Sequence, residues 1–120
     1  MKILYIEDNL DAVHPIQRIA SHFGYDLLLA ETVVGGLSLL AEAPTLVLAD
    51  MLLPDGDAID FIRQARLISA TVPIIVVTGV ATDGEREACL EVGCTDYYIK
   101  PIEVDTLIAL FKRYADEALK

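Results

Sequence analysis

Residues 46–56, LVLADMLLPDG, carry the pattern that decides the fold. Four apolar residues form a run that is typical of a buried strand, and Asp50 closes the run. The residues Pro54-Asp55-Gly56 favour a turn, and apolar residues at helical spacing follow them. The stretch therefore predicts a buried strand, a polar residue at its carboxyl end, a turn and a helix.

The same unit occurs along the rest of the chain. Three further apolar runs end at polar residues, which are Glu7-Asp8 after residues 3–6, Thr78 after residues 74–77 and Lys100 after residues 97–99. Strands are predicted at about 2–7, 25–30, 46–50, 74–78 and 97–99. A helix that ends at Gly24 follows the first strand, and the later four are predicted at about 32–42, 57–68, 83–92 and 103–119.

Alternating strands and helices predict an α/β fold, because each helix returns the chain across the sheet and the next strand runs parallel to the last. Nearly all residues of the later strands are apolar, which is typical of strands covered on both sides. We therefore predict a five-stranded doubly wound parallel sheet in the flavodoxin-like order 2-1-3-4-5, with helices on both faces. A chain of 120 residues without a linker or repeat is expected to form a single domain over residues 1–120.

Composition argues against several classes of function. The formal net charge of −10 disfavours direct binding to DNA, RNA or an anionic membrane. No apolar run approaches the roughly 18 residues that span a bilayer, and the start of the chain lacks a signal-peptide pattern. The two cysteines, Cys89 and Cys94, are too few for a disulfide framework, so free thiols in a reducing cytoplasm are expected.

The polar residues that close the strands predict a functional site. In the order 2-1-3-4-5 the first and third strands are neighbours, which brings Glu7, Asp8 and Asp50 to one crevice. Carboxylates this close repel one another, and Mg²⁺ would relieve the repulsion; softer metals are disfavoured because the cluster contains no histidine or cysteine. The cation, the Thr78 hydroxyl and the Lys100 ammonium could together bind a phosphoryl group on Asp50, the predicted nucleophile.

These motifs resemble the receiver domain of bacterial two-component response regulators, such as the chemotaxis regulators. The resemblance covers essentially the whole chain, and its marks are Glu7-Asp8, Asp50, Pro54-Asp55-Gly56, Thr78, Tyr97 and Lys100-Pro101. It implies that the acidic pair, Asp50 and the backbone carbonyl of Leu52 hold Mg²⁺. It also implies that Asp50 accepts a phosphoryl group from a phosphohistidine on a partner histidine kinase or phosphotransfer protein.

The resemblance further implies a conformational switch. Thr78 and Tyr97 are expected to move inward on phosphorylation and to remodel the surface of the fourth helix, fifth strand and fifth helix, where a downstream protein or a second copy would bind. The Lys100-Pro101 bond is expected to be cis. The domain would be a signalling module that catalyses only its own phosphorylation and dephosphorylation. Dephosphorylation is expected to be slow, because Leu52 and Val80 lack a hydrogen-bonding group that could orient water.

Two other functions remain open from the residues. A phosphatase of the haloacid dehalogenase type also uses a strand-end aspartate, Mg²⁺ and a lysine, but it needs a second acid where this chain has Leu52. A flavin-binding module shares the topology and needs a glycine- and hydroxyl-rich phosphate loop after the first strand. The acidic pair at that position would repel a phosphate in the absence of a metal.

A last expectation concerns the fifth helix. Leu107, Leu110 and Ala118 are predicted to face inward. Phe111 or Tyr114 is then expected to be partly exposed beside two basic residues. Such an aromatic and basic patch would suit a partner or dimer face on an otherwise acidic protein.

Overall fold

Five parallel strands form the central sheet of the computed structural model, which describes residues 1–79 and 82–119. They are β1 (Lys2–Ile6), β2 (Asp26–Ala30), β3 (Leu46–Asp50), β4 (Ile74–Thr78) and β5 (Asp96–Ile99). The α-helices are α1 (Leu10–Phe23), α2 (Val33–Leu39), α3 (Ala58–Ile68), α4 (Asp83–Val92) and α5 (Val104–Ala118). A 3₁₀ turn follows α2 at Leu40–Glu42, and a short antiparallel ladder after β3 pairs Leu52–Leu53 with Gly56–Asp57.

The strand order is β2-β1-β3-β4-β5, which confirms the predicted doubly wound sheet. The order reverses between β1 and β3, and open α/β sheets bind ligands at that point, outside the carboxyl ends of the strands. Near this edge the registers pair Ile6 with Ala49, Asp50 with Val77, and Thr78 with Ile99. The residues that follow these pairs therefore emerge side by side at the same edge.

Alternate residues of β1 point to opposite faces of the sheet and enter two separate cores. Leu4 and Ile6 pack with residues of α2, α3 and α4, whereas Ile3 and Tyr5 pack with residues of α1 and α5. All four side chains are almost completely buried. Burial on both faces explains why the strands read as continuous apolar runs rather than as an alternating pattern.

Gly36 allows α2 to approach the sheet closely. A Cβ atom at this position would lie 2.9 Å from Cγ1 of Ile6 and 3.1 Å from Cε1 of Phe61. From the sequence, the pair Gly35-Gly36 predicts a soft helix, since glycine costs about 1 kcal/mol relative to alanine in a helix interior. The α-helical part is indeed shorter than the predicted 32–42, and the remainder is the 3₁₀ turn. The structure adds a packing reason for glycine at position 36.

Arg66 joins the end of α3 to the end of α4. Its Nε and Nη2 atoms donate hydrogen bonds of 2.9 and 2.7 Å to the carbonyl of Gly93, the left-handed residue that ends α4. Its Nη1 donates to the carbonyls of Val72 and Ser69 at 2.7 and 3.3 Å. Arg66 therefore connects the end of α3 to the end of α4.

The expectation for α5 is wrong in part. Phe111 and Tyr114 are 0% and 4% exposed and belong to the core, together with Leu107 and Leu110, while Ala118 is exposed. The four buried residues follow the i, i+3, i+4, i+7 spacing of one helix face, so both aromatic rings point to the sheet. The proposed aromatic patch on α5 is therefore absent.

The two cysteines are free thiols in the interior. Cys89 lies on the inner side of α4, and Cys94 lies just beyond Gly93. Burial raises the pKa of Cys89 to about 12 and that of Cys94 to about 11, so both thiols stay protonated and unreactive. Among the described residues, no helix combines the length and the apolar character needed to cross a membrane.

Substitution of Gly36 by alanine tests the close approach of α2 to the sheet. We expect Gly36→Ala to lower the free energy of unfolding by about 1–3 kcal/mol, because the added methyl group overpacks the contact with Ile6 and Phe61. Chemical denaturation measures the change. The control is Gly84→Ala in α4, where a Cβ atom meets nothing within 4 Å. That variant should be neutral or more stable by up to about 1 kcal/mol. Equal effects of the two substitutions would contradict the packing role.

Candidate functional site

The polar residues that close β1, β3, β4 and β5 lie together at the carboxyl edge of the sheet. They line a cleft of about 570 Å³, and they are Glu7, Asp8, Asp50, Thr78 and Lys100. The structure thus brings together all five strand-closing residues that the sequence analysis selected. The cause is the parallel topology, which gathers the ends of strands that are distant in sequence.

Three carboxylates form the acidic part of the cleft. One oxygen atom from each of Glu7, Asp8 and Asp50 lies within 4.8 Å of the others. Glu7 is buried, Asp50 is half-buried and Asp8 is exposed. The N–H group of Glu7 donates a 2.8 Å hydrogen bond to the carbonyl of Ala30. The pairing of β1 with β2 therefore continues one residue past the strand and holds the Glu7 backbone in place.

Lys100 supplies positive charge to this cluster. Its Nζ atom lies 3.1 Å from Oε2 of Glu7 and 3.5 Å from Oδ2 of Asp50. Its N–H group donates a 2.7 Å hydrogen bond to the Thr78 carbonyl, which continues the pairing of β4 with β5. The bond from Lys100 to Pro101 is cis, as predicted. One ammonium group is therefore shared between two carboxylates.

The Asp50 carboxylate is held on both of its oxygen atoms. Oδ1 accepts a 2.8 Å hydrogen bond from the N–H group of Met51, and Oδ2 faces Lys100. The N–H group of Ala58 donates to the Met51 carbonyl at 2.9 Å, which connects this turn to the start of α3. The carboxylate is thereby oriented before any ligand enters the cleft.

Burial and repulsion leave Glu7 short of compensating charge. Burial, together with the contact with Asp50, raises the pKa of Glu7 from 4.5 to about 7, although Lys100 acts in the opposite direction. Burial, with smaller contributions from Glu7 and Asp50, also raises the pKa of the Tyr5 phenol. The cleft therefore disfavours its own negative charge and would be stabilised by a further cation.

The donor groups fit a hard divalent cation. Three carboxylate oxygen atoms converge within 4.8 Å, and neither a thiol nor an imidazole belongs to the group. Leu52, whose backbone carbonyl is the predicted fourth ligand, also lines the cleft, while its side chain is largely exposed. This set of oxygen donors suits Mg²⁺, which binds through one or two carboxylates and keeps several water molecules.

Tyr97 is buried and forms a hydrogen bond with a residue that the sequence analysis did not select. Its hydroxyl donates to Oε1 of Glu85 at 2.6 Å, and Glu85 itself lines the cleft. Burial, with the neighbouring Glu85 carboxylate, raises the pKa of Tyr97. The sequence does contain a signal for Glu85. Thr82 and Glu85 have the spacing of a capping box, and the Thr82 hydroxyl accepts a hydrogen bond from the Glu85 N–H at 3.1 Å.

The raised pKa of Glu7 predicts that Mg²⁺ binding strengthens as the pH rises through about 7. The cation requires an ionised carboxylate, so binding below this pH must release a proton. Each unit of pH decrease in that range should weaken apparent affinity by up to about tenfold. Titration of the protein with Mg²⁺ at pH values on both sides of 7 measures the effect.

The same pKa sets the sign of the stability change in metal-free protein. The folded state binds the Glu7 proton more tightly than the unfolded chain does. Glu7 therefore contributes stability that is fully present below pH 4.5 and is lost as the pH rises through about 7. The control is Glu7→Gln, which should bind Mg²⁺ more weakly and remove both pH dependences. Persistence of either dependence in Glu7→Gln would assign it to another group.

Comparison with known proteins agrees with this geometry. Residues 3–112 match the family described as the response regulator receiver domain. The response regulator MprA of Mycobacterium sp. (strain KMS) is 33% identical over 110 residues, which are 91% of this chain and 48% of that protein. The chain thus spans about half the length of the curated relatives that it matches.

Solved structures with similar sequences share the fold. A CheY-like receiver domain protein from Methanospirillum hungatei JF-1 has a TM-score of 0.89 and 26% identity, covering 97% of this chain and 94% of that one. The receiver domain of the sensor histidine kinase PA1611 from Pseudomonas aeruginosa PAO1 has a TM-score of 0.83 and 30% identity, covering 94% and 95%. That protein coordinates a magnesium ion in its active-site cleft. The family match over residues 3–112, with the sheet order and the acidic cleft, shows that this chain belongs to the response regulator receiver domain family.

Proposed function

We propose that residues 1–120 form one phosphorylation-activated signalling domain in which Asp50 is the phosphoacceptor. The observation that carries the proposal is the placement of the Asp50 carboxylate between the Met51 N–H group and the Lys100 ammonium, beside two further acids. A carboxylate held in this way is oriented as a nucleophile, and membership of the receiver family supports this role.

The reaction is a phosphoryl transfer from a phosphohistidine on a partner protein. An oxygen atom of Asp50 bonds to phosphorus while the P–N bond breaks, and the leaving imidazole nitrogen keeps the bonding electrons and takes up a proton from solvent. The nucleophile is a carboxylate oxygen, so the step requires no general base. Lys100, 3.5 Å from Asp50, neutralises charge on the phosphoryl oxygens, and the buried Thr78 hydroxyl lies in the same cleft to donate to one of them.

Glu7, Asp8, Asp50 and the Leu52 carbonyl are the residues that would hold Mg²⁺. When bound, the cation supplies positive charge for the phosphoryl oxygens and offsets the repulsion among the carboxylates. The protein contributes the placement of the charged groups, because the backbones of Glu7 and Lys100 are both held by hydrogen bonds at the strand ends.

The output of the switch is proposed to pass through Glu85 and Tyr97. Phosphorylation replaces the single negative charge of the Asp50 carboxylate by the roughly two charges of an acyl phosphate, so the cleft that Glu85 lines gains about one negative charge. The added charge attracts the Thr78 hydroxyl and repels the Glu85 carboxylate, which weakens the 2.6 Å bond to Tyr97. Because Glu85 lies in the first turn of α4, the change reaches the surface of α4, β5 and α5.

Exposed apolar side chains support two protein contacts. Leu52 at the cleft and Leu10 at the start of α1 are 72% and 62% exposed, which suits docking of a histidine kinase or phosphotransfer protein that brings the phosphoryl group. Leu90, Ile99 and Val104 are exposed on α4, β5 and at the start of α5, which suits a downstream protein or a second copy.

The net charge of −10 disfavours nucleic acid as a direct partner. We place the domain in the cytoplasm, with its protein phosphodonor.

The other two functions have less support. A phosphatase of the haloacid dehalogenase type needs a proton donor two residues after the nucleophile, and that residue is the exposed, apolar Leu52. A flavin phosphate would meet three converging carboxylates where it needs N–H donors. Neither alternative uses the hydrogen bond that links Tyr97 to Glu85.

Incubation with Mg²⁺ and acetyl phosphate tests Asp50 as the acceptor. We expect the wild-type protein to gain one phosphoryl group by intact mass, with the label on Asp50. Asp50→Asn should gain none, because an amide cannot form the acyl phosphate. Lys100→Ala should be labelled at least about tenfold more slowly, since it removes charge from the transferring group.

The matched control for this experiment is Asp57→Asn. Asp57 lies in the same loop and caps α3 through a 2.8 Å hydrogen bond from the Asp60 N–H. Asparagine is an equally good cap, so this variant should be phosphorylated like the wild type. Phosphorylation of Asp50→Asn, or turnover of the donor without a stable label, would overturn the proposal.

Slow dephosphorylation is a further consequence of the apolar cleft rim. Leu52 lines the cleft and offers no group to orient water, and Val80, the other predicted rim position, lies outside the described residues. Replacing Leu52 by Asn and Val80 by Glu should speed loss of phosphate by about tenfold, with Mg²⁺ affinity unchanged. Decay of the label after removal of the donor measures the rate. A fast wild-type decay that the double variant leaves unchanged would exclude this explanation.

A further inference from the structure

Asp55 joins the loop after β3 to the first turn of α2. Its Oδ1 atom accepts a 2.7 Å hydrogen bond from the Val33 N–H, and its Oδ2 atom accepts one of 3.1 Å from the Val34 N–H. These two partners are more than 20 residues away in the sequence. These two hydrogen bonds are therefore tertiary contacts, although a side-chain oxygen that accepts from the first N–H groups of a helix is otherwise typical of a local helix cap.

The remaining donors of the same helical turn are satisfied by Thr32. Its hydroxyl accepts from the Gly35 N–H at 2.9 Å, and its carbonyl accepts from the Gly36 N–H at 3.0 Å. All four N–H groups at this helix end thus have acceptors, two local and two from the loop. Since α2 already has its own cap residue, the carboxylate of Asp55 has a second consequence, which is to fix the loop that carries it.

The loop after β3 contributes residues to the cleft. Residues 51–57 begin next to Asp50 and include Leu52, whose carbonyl is the proposed metal ligand. The short ladder pairs Leu52 with Asp57 and Leu53 with Gly56, so the loop is stiff within itself. Within residues 1–79 and 82–119, Asp55 alone connects the tip of this loop, residues 53–56, by hydrogen bonds to another element.

The partner element, α2, is itself fixed to the strand that carries the acidic pair. Val33 is 4% exposed in the core, and Gly36 packs against Ile6, the residue directly before Glu7. A displacement of α2 toward β1 would overpack this contact. The carboxylate of Asp55 is consequently a link between the loop with Leu52 and the segment with Glu7.

We infer that Asp55 is a positioning residue, which holds the loop after β3 against α2 so that the Leu52 carbonyl and the Asp50 carboxylate keep their places relative to Glu7. It touches neither the phosphoryl group nor the cation. The inference rests on the proposed function, because it assigns a role toward the same cleft. The N–H donors lower the pKa of Asp55, so the link stays ionised and intact over the pH range in which the cleft binds a cation.

The experiment compares Asp55→Ala with Thr32→Ala. Asp55→Ala removes the acceptor of the Val33 and Val34 N–H groups and Thr32→Ala removes that of the Gly35 N–H group, so both should lower the unfolding midpoint. Only Asp55→Ala releases the loop. We expect Asp55→Ala to weaken Mg²⁺ binding by about tenfold, as the loss of a group that orients a ligand does elsewhere, and Thr32→Ala to change it by less than about twofold.

Amide hydrogen exchange is a readout that depends neither on the metal nor on catalysis. Amide hydrogen exchange at Met51 and Leu53 in metal-free protein should speed up in Asp55→Ala and stay at the wild-type rate in Thr32→Ala. Asp55→Asn keeps one acceptor oxygen for Val33 and should give intermediate exchange and intermediate Mg²⁺ affinity. This conservative variant also covers the case in which Asp55→Ala fails to fold.

The outcomes separate the inference from the function on which it rests. Equal Mg²⁺ affinity and equal exchange in Asp55→Ala and Thr32→Ala, with wild-type protein phosphorylated normally, would reduce Asp55 to a helix cap and overturn the inference alone. Wild-type protein that takes up no phosphoryl group would overturn the proposed function itself. Faster loop exchange and weaker Mg²⁺ binding confined to the Asp55 variants would support the positioning role.

Discussion

The cleft depends on the ion pairs that the Lys100 ammonium group forms with the carboxylates of Glu7 and Asp50. Three carboxylates meet at this edge, and one lysine lies among them. The positive charge of Lys100 does not fully compensate these carboxylates, and burial together with the neighbouring Asp50 raises the pKa of Glu7. A site with this deficit of positive charge favours a hard divalent cation. Lys100 also lies beside Asp50, where its ammonium group could neutralise the oxygen atoms of a phosphoryl group. The same electrostatic constraint thus serves both the metal and the transfer chemistry.

The sheet converts this constraint into fixed geometry. Parallel pairing places the ends of β1, β3, β4 and β5 next to one another, and helices on both faces bury the backbone that leads to them. Glu7 and Lys100 are each held by a backbone hydrogen bond just beyond a strand, so their side chains start from defined positions. Loops complete the cleft, and they depend on contacts with helices. The link from Asp55 to α2 is a contact of this kind, and a separate hydrogen bond joins Glu85 of α4 to Tyr97 of β5.

The periodicity of apolar residues was sufficient to predict the strands and helices, but it was not used well enough to predict which side chains are buried. The buried face of α5 has helical spacing that includes both Phe111 and Tyr114, yet one of these two rings was expected to be partly exposed beside the basic residues of the helix. Helical phase, and not the neighbour in sequence, decides burial. The sequence analysis did not select Glu85, whose place in the first turn of α4 brings it to the cleft.

The sequence by itself determined the alternation of strands and helices, the single parallel sheet and the set of polar residues at its carboxyl edge. Apolar runs closed by Glu7-Asp8, Asp50, Thr78 and Lys100 carry that information locally, because burial on both faces and termination by a polar group are properties of each segment. Only the tertiary structure decided how these groups share charge, that Gly36 is needed for packing, and that Asp55 bonds to α2. Distances between segments depend on how helices pack against the sheet, and no local pattern of residues encodes that packing.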